Sequence, residues 1–130
     1  MASGFYNKGL ERFTKALIDL TSHDIRVRLM RTSAYTYAAT HEFTSSLAAS
    51  IVGDVTLGTK VLTDGTFDAA DAVFSAVPLG AAIDCLAIFR WVTVAGDSPL
   101  IAYIDGFTVT PNGGDITIQW QNSSPWILRI

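Results

Sequence analysis

The sequence predicts a mainly β domain, an antiparallel β-sandwich or barrel with one amphipathic α-helix near the N-terminus. Helical periodicity occurs only in the first part of the chain, and from Ile51 onward short apolar runs alternate with turn residues. No helical pattern separates these runs, so parallel crossovers are not expected. The 130 residues suit one domain, which we assign to 1–130.

The predicted helix covers about residues 7–21. Its apolar residues recur at steps of three, four and three and would form one stripe: Leu10, Phe13, Leu17 and Leu20. Asn7 is placed to cap the first turn, whereas Gly9 weakens that turn by about 1 kcal/mol relative to alanine.

The segment "DIRVRLMR" has the alternation of a half-buried strand. Ile25, Val27 and Leu29 would face the core, and Arg26 and Arg28 would share the outer face. Such a face is typically solvated, but it also suits ion pairing with a partner. The polar segment after it, residues 32–50, is expected to be a long loop with one helical turn around residues 40–47, and long loops often carry contacts.

The remaining strands are marked by their turns. Asp64-Gly65 is a strong hairpin signal, and "IDCLAIFRWV" reads as a strand that is buried on both faces for part of its length. "SPLIAYID" follows a turn at residues 95–98. In "VTPNGGDITIQW", Asn112-Gly113 can supply the positive φ angles of a tight turn, so we interpret residues 111–115 as the start of a strand rather than a ligand site.

Composition points to a hidden surface. The chain is 49% hydrophobic and 16% charged, whereas soluble domains average roughly 25% charged residues. Residues 1–31 hold six basic and three acidic side chains, and the remainder holds three basic and nine acidic ones. This polarity favours contact between copies or with an acidic partner, whereas the acidic total argues against nucleic-acid binding.

Targeting signals are not evident. The apolar run "AIFRWV" is interrupted by Arg90, and the N-terminus lacks the pattern of a signal peptide. We therefore expect no membrane partner and synthesis in the cytoplasm.

Residues that could carry chemistry are few. Cys85 is the single cysteine and lies in an apolar run, so we expect a buried thiol. His23 and His41 have no metal-ligand spacing. Asp64, Asp68 and Asp71 do not match a calcium loop. We predict no catalytic residue, no metal and no cofactor.

Candidate contact residues come from three places: the basic helix and strand, the long loop, and a C-terminal tryptophan that follows Pro125. Three tryptophans fall in predicted strands and are expected in the core, with Trp126 the exception because proline marks an edge position. The candidates are Lys8, Arg12, Lys15, Arg26, Arg28, Tyr35, Tyr37, His41, Phe43 and Trp126.

Four segments, "ATHEF", "LTDGTFDAADAVFSAV", "SPLIAYID" and "TPNGGDITIQW", occur in an order that resembles a group of small tailed-bacteriophage virion proteins. The likeness includes Tyr6-Asn7-x-Gly9-Leu10, the segment Asp64-Gly65-x-Phe67-Asp68-Ala69, and residues 111–115. The end of the chain departs from the group. Members usually have an Asn-Gly hairpin and a lysine-containing strand where this chain has "NSSPWILRI", and the connection at 106–111 is shorter in this chain.

The resemblance implies a noncatalytic structural role, with the protein as a head decoration or cement protein on the outside of the capsid. Its partner would be the major capsid protein, and the protein would act as a homo-oligomer, with a trimer expected, located in the virion. Two alternatives stay open. One is a structural protein of the neck or tail, and the other is a carbohydrate- or host-surface-binding β-module that uses Trp126 and the carboxylates of residues 64–71.

Overall fold

The computed structural model describes residues 4–50, 52–63, 66–93, 97–119 and 128–129. Within them the chain forms one α-helix, one 3₁₀ helix and ten short strands. The bounds are β1 Gly4–Phe5, α1 Asn7–Thr14, β2 Ile25–Met30, the 3₁₀ helix Thr44–Ser50, β3 Gly53–Thr56, β4 Val61–Thr63, β5 Thr66–Asp68, β6 Ala72–Phe74, β7 Ile83–Arg90, β8 Leu100–Val109, β9 Ile116–Ile118 and β10 Leu128–Arg129. No helix in the described ranges is long and apolar enough to cross a membrane.

The strands of the described ranges form three antiparallel sheets. The largest has the order β1-β8-β7-β2-β3, and two smaller ones have the orders β10-β5-β4 and β6-β9. The apolar strand β7 lies at the centre of the large sheet, between β2 and β8, and is buried on both faces as predicted. The mainly antiparallel β fold with one N-terminal helix is therefore confirmed, and over the described residues the sheets resemble a sandwich rather than a closed barrel.

One face of the large sheet packs against the two smaller sheets. Because side chains alternate along a strand, Val27 of β2 and Ile88 of β7 are opposite each other on this face. They pack with Phe67 of β5, Phe74 of β6 and Ile116 of β9 in the larger hydrophobic core. Antiparallel pairing of β4 with β5 confirms the predicted hairpin, although its turn, Asp64-Gly65, lies outside the described residues.

The opposite face of the large sheet carries an aromatic core that the long loop covers. Tyr103 of β8 stacks on Tyr37 of the loop, with ring centroids 4.8 Å apart and planes 18° apart. Cys85 is fully buried in this layer, as predicted, and burial raises the pKa of its thiol to about 11. The thiol therefore stays protonated at neutral pH, which makes it a poor nucleophile.

The helix is shorter than predicted, because α1 ends at Thr14 rather than near residue 21. Ala16 adopts the left-handed conformation, with φ of 57°. The Ala16 N–H donates to the Phe13 carbonyl and the Leu17 N–H to the Arg12 carbonyl, which is the Schellman arrangement that closes a helix. Alanine therefore takes the position that glycine usually holds.

The start of the helix also differs from the prediction. Tyr6, not Asn7, is the N-cap residue, and the Asn7 N–H donates instead to the Ala39 carbonyl of the long loop. Gly9 is the helical residue buried against β8, since a Cβ atom at this position would lie 2.6 Å from the Leu100 carbonyl oxygen. The glycine that weakens the helix locally thus permits its close approach to the sheet.

The predicted apolar stripe does not form a buried face. Leu10 is 39% exposed and Leu17 is 52% exposed, and the buried Leu20 lies beyond the end of α1. Only Phe13 packs partly against the larger core from within the helix. The apolar stripe therefore does not make the contact of the helix with the sheet, which runs through Gly9 instead.

Two loop predictions are corrected in detail. The expected helical turn around residues 40–47 is a 3₁₀ helix at Thr44–Ser50. In the turn at 111–115, Gly113 alone has a positive φ, 87°, whereas Asn112 accepts the Gly114 N–H through its side-chain Oδ1 at 3.0 Å. The turn leads into β9 as predicted.

Candidate docking surface

The basic side chains of α1 lie beside acidic ones at the surface. Lys8 Nζ is 2.9 Å from Glu11 Oε2, and Lys15 Nζ is 2.7 Å from Glu11 Oε1. Hydrogen bonds from Lys15 and then Lys8 lower the pKa of Glu11 to about 2. These spacings of three and four residues suit pairing along one side of a helix, where exposed pairs contribute little to stability because solvent screens them.

Arg12 connects this helix to the long loop. Its Nη2 lies 2.6 Å from Glu42 Oε2, and its guanidinium carbon lies 5.2 Å from the centre of the Phe43 ring. The other terminal nitrogen, Nη1, is buried and has no hydrogen-bond partner among the described residues. The guanidinium is thus held on two sides, and one of its donor groups is left unused.

These residues surround a half-open depression of about 180 Å³. Its lining consists of three cationic side chains, two carboxylates and one leucine: Lys8, Arg12, Lys15, Glu11, Glu42 and Leu17. We call this depression, together with the exposed Leu10 and the ring of Phe43, the α1 surface. It brings together four of the predicted contact residues, namely Lys8, Arg12, Lys15 and Phe43.

The two arginines of β2 have partners within the chain. Arg28 donates two hydrogen bonds to Asp54 of β3, at 2.7 and 2.9 Å, and is only 7% exposed. Arg26 pairs with Asp24 and lies over the ring of Trp91, 4.4 Å from its centre. The expectation of a solvated outer face is therefore wrong for Arg28, which is buried by its own chain.

The loop residues Tyr35, Tyr37 and His41 belong to the aromatic core. The Tyr35 hydroxyl lies 2.8 Å from the Tyr6 hydroxyl and 2.8 Å from His41 Nδ1. Tyr37 donates to the Phe5 carbonyl at 2.7 Å. Burial raises the pKa of Tyr6 and of Tyr35, so both stay neutral across the physiological range. Tyr35 is buried, so it supports the loop from inside rather than presenting a ring to solvent.

The structure places other candidates apart from the α1 surface or outside the described residues. Trp126, Trp120 and Asp64 lie outside the described residues. Asp68 is in β5, and Asp71 lies just before β6. Within the described ranges, no three His, Cys, Asp or Glu side chains are grouped to hold a metal ion.

Sequence reasoning missed Glu42, Glu11 and Leu17 as parts of this surface. Glu42 follows His41 in the loop, and its pairing with a residue 30 positions earlier leaves no local signal. Leu17 belongs to the predicted apolar stripe of the helix, which gives no sign that it lies at the surface. Comparison of the chain with protein-family models, with curated proteins and with solved structures finds no match.

Proposed function

We propose that the protein is a noncatalytic structural protein of a tailed-bacteriophage virion. It binds the outside of the capsid through the α1 surface and stabilises the shell as a decoration or cement protein. The observation that carries the proposal is the exposure of Leu10 and Leu17 beside paired charges on a helix that is fixed to the main sheet.

The chemistry of the α1 surface suits a protein partner. Exposed leucines gain free energy when a partner removes them from water, about 25 cal/mol for each Å² of apolar area. Paired charges around them supply orientation and hydrogen bonds at the edge of a contact. Both kinds of group lie on or next to the same short helix.

The part of the protein behind the α1 surface holds that surface rigidly. The helix sits directly on the backbone of β8 at Gly9, and Arg12 joins it to Glu42 in the loop. Beneath the loop, the hydroxyls of Tyr6 and Tyr35 form a buried hydrogen bond. Side chains held in this way lose little conformational freedom on binding, which favours affinity.

The resemblance of the sequence to phage virion proteins supports the capsid as the target. The major capsid protein would be the partner, and a trimer bound where shell subunits meet would link neighbouring subunits. A ligand that binds only the assembled form stabilises it, by about 2.7 kcal/mol per site at a free concentration about 100 times Kd.

The direct test is to add purified protein to phage shells that lack it, and to measure both bound copies and the temperature at which the shells rupture. We expect saturable binding at a copy number set by the shell lattice, and a higher rupture temperature. Leu17→Asp should weaken binding about tenfold or more, because it places a charge in the contact. Leu79→Asp is the matched control, since Leu79 is 77% exposed and lies outside the α1 surface.

Other results would overturn the proposal in defined ways. Copies confined to the neck or tail, at a number set by the tail's rotational symmetry, would assign the protein to that part of the virion. Glycan binding that a chelator abolishes, without shell binding, would favour a carbohydrate-binding module. Equal loss of binding in both variants would show that the α1 surface is not the contact.

A further inference from the structure

We propose that Asn112 is a site of spontaneous covalent modification, at which the asparagine converts to aspartate and isoaspartate without an enzyme. Three features of the turn at 111–115 carry this inference: the residue that follows the asparagine, the exposure of both residues, and a hydrogen bond to the asparagine side chain. The site lies away from the α1 surface and does not depend on the proposed function.

The conversion has two steps, and water is the only other reactant. The backbone nitrogen of Gly113 forms a bond to Cγ of Asn112 and gives its proton to solvent, while Nδ2 takes up a proton and leaves as ammonia. The product is a cyclic succinimide. Water then adds to one of the two succinimide carbonyl carbons. If the bond from the Gly113 nitrogen to Cγ breaks, the product is aspartate. If the bond from this nitrogen to the main-chain carbon breaks, the product is isoaspartate, in which the chain continues through Cγ.

The first feature is the glycine that follows Asn112. A side chain on the following residue would stand beside the attacking nitrogen, whereas glycine has none. A Cβ atom built at Gly113 would meet nothing within 4 Å, so no described atom crowds the nitrogen on that side. The Gly113 N–H also has no hydrogen-bond acceptor among the described residues. This nitrogen is therefore free to approach the side chain of Asn112.

The second feature is exposure. Asn112, Gly113 and Gly114 are all exposed, so solvent can accept the proton from the attacking nitrogen and supply water to the succinimide. Asn7 is exposed as well, but it is the first residue of α1 and precedes a lysine. Helical dihedral angles fix the backbone around Asn7, and the Lys8 side chain crowds the next nitrogen. Asn7 is therefore a control within the same chain.

The third feature is the hydrogen bond from the Gly114 N–H to the side chain of Asn112. The Gly114 nitrogen lies 3.0 Å from Oδ1. When the Gly113 nitrogen bonds to Cγ, negative charge develops on this oxygen, and a donor aimed at the oxygen stabilises the transition state. Gly113 has a φ of 87°, which glycine adopts without strain. The turn thus holds a donor at the oxygen before the reaction starts.

The isoaspartate product would disturb the link between this turn and the bend after β6. The Val77 N–H donates to the Gly114 carbonyl at 3.0 Å, and the Ala76 N–H donates to Asp115 Oδ1 at 2.9 Å. Isoaspartate inserts one more atom into the main chain ahead of both acceptors, so we expect these hydrogen bonds to weaken. The aspartate product leaves the main chain unaltered and keeps a side-chain oxygen for the Gly114 N–H.

Incubation of the purified full chain in mildly alkaline buffer, followed by peptide mapping with mass spectrometry, tests the inference. We expect first-order loss of Asn112 and the appearance of aspartate and isoaspartate at that position, while Asn7 stays intact. The rate should rise in proportion to hydroxide concentration, because the attacking nitrogen must lose its proton. Since the Gly114 N–H is already in place, the full chain should react about two- to tenfold faster than a peptide of residues 108–117, which is the factor for one ordinary hydrogen bond.

Two variants serve as matched controls. Asn112→Gln keeps a side-chain amide but moves its carbon one bond further from the Gly113 nitrogen, so this variant should show no conversion at position 112. Asn112→Asp carries the same charge as the converted forms on an unaltered main chain. Ion-exchange chromatography separates the converted forms from the original chain, because each gains one negative charge. The isoaspartate form should melt about 2–8 °C below Asn112→Asp.

Three results would overturn the inference. In the first, Asn112 of the full chain is lost no faster than Asn7, so the site is inert in the folded protein. In the second, the full chain reacts more slowly than the peptide, so the folded turn opposes the reaction instead of favouring it. In the third, the same gain of mass accumulates equally fast in Asn112→Gln, so the modification lies elsewhere in the chain.

Discussion

Replacement of Gly9 by alanine separates the effect of local helix propensity from that of tertiary packing. The two effects predict changes of opposite sign in the free energy of unfolding. An exposed glycine in a helix is less favourable than alanine by about 1 kcal/mol, so propensity predicts that Gly9→Ala stabilises the protein. The packing of α1 on β8 predicts destabilisation. The added methyl carbon would lie 2.6 Å from the Leu100 carbonyl oxygen, 3.0 Å from Ile101 Cα and 3.1 Å from the Ile101 carbonyl oxygen.

The magnitude follows from the movement that these distances require. An ordinary C···O contact is about 3.3–3.6 Å, so the helix would have to move away from β8 by roughly 0.7–1 Å. A gap of that size removes a quarter to a half of the dispersion energy across the contact. Overpacking typically destabilises by about 1–3 kcal/mol, and we take the upper end because the obstructing atoms are backbone. After the gain in propensity, the net loss should be about 2 kcal/mol.

Urea unfolding followed by circular dichroism measures this loss. With an m-value of about 2 kcal/mol/M, the midpoint should fall by about 1 M. Gly58→Ala is the control, because a methyl group there meets no atom within 4 Å, and its effect should stay within about 0.5 kcal/mol. A Gly9→Ala variant as stable as the unaltered protein would refute the close approach of α1 to β8.

Three further substitutions probe other parts of the fold. Arg28→Ala removes both hydrogen bonds to Asp54 and should lower the free energy of unfolding by about 2–4 kcal/mol in urea melts; a loss below 1 kcal/mol would contradict a buried pair. Tyr35→Phe removes a buried hydroxyl that reaches His41 and should lower the same quantity by about 1–3 kcal/mol, and an unchanged melt would count against the network. Leu62→Lys, on the edge strand β4 where the native leucine is 47% exposed, should reduce self-association in light scattering without altering the thermal midpoint. If association stayed the same, β4 would not be a self-association site.

The strands were predictable because their signals are local. Alternation in β2 and the continuous apolar run of β7 identify these strands from neighbouring residues alone. The predicted burial holds for β7 but not for β2, which is buried on both faces where a half-buried strand was expected. The dipeptide Asp64-Gly65 likewise predicts a hairpin, and the flanking strands β4 and β5 pair antiparallel. Period and turn chemistry point to the same strands in these segments, which is why the strands could be predicted.

The end of α1 could not be predicted by the same means. Lys15, Ala16 and Leu17 all favour helix, and no glycine or proline marks the stop. The chain nevertheless leaves the helix with Ala16 in the left-handed region, a conformation that is unfavourable by about 1–2 kcal/mol for a residue with a Cβ atom. Tertiary packing overrides propensity here, and the result exposes Leu17 at the depression.

The candidate site was predictable in composition but not in arrangement. The basic character of α1 is visible in the sequence, and Lys8, Arg12 and Lys15 do line one depression. Pairing of Arg12 with Glu42 depends on how the long loop returns to the helix, and that path is set by contacts far apart in sequence. The charges can thus be counted from the sequence, whereas the residues that pair with them can be identified only from the folded structure.

The hydrogen bonds that join Tyr6, Tyr35 and His41 can run in either of two orders of donor and acceptor. Each hydroxyl supplies one proton, and Tyr6 is fully buried. If Tyr6 donates to Tyr35 and Tyr35 donates to Nδ1, every buried hydroxyl proton in this group has an acceptor, as native interiors require. The reverse order would leave the Tyr6 proton without an acceptor in the group. In the first order the neutral imidazole accepts at Nδ1 and carries its proton on Nε2, so the orientation of one buried phenol at the start of the helix is coupled to the tautomer of a loop histidine.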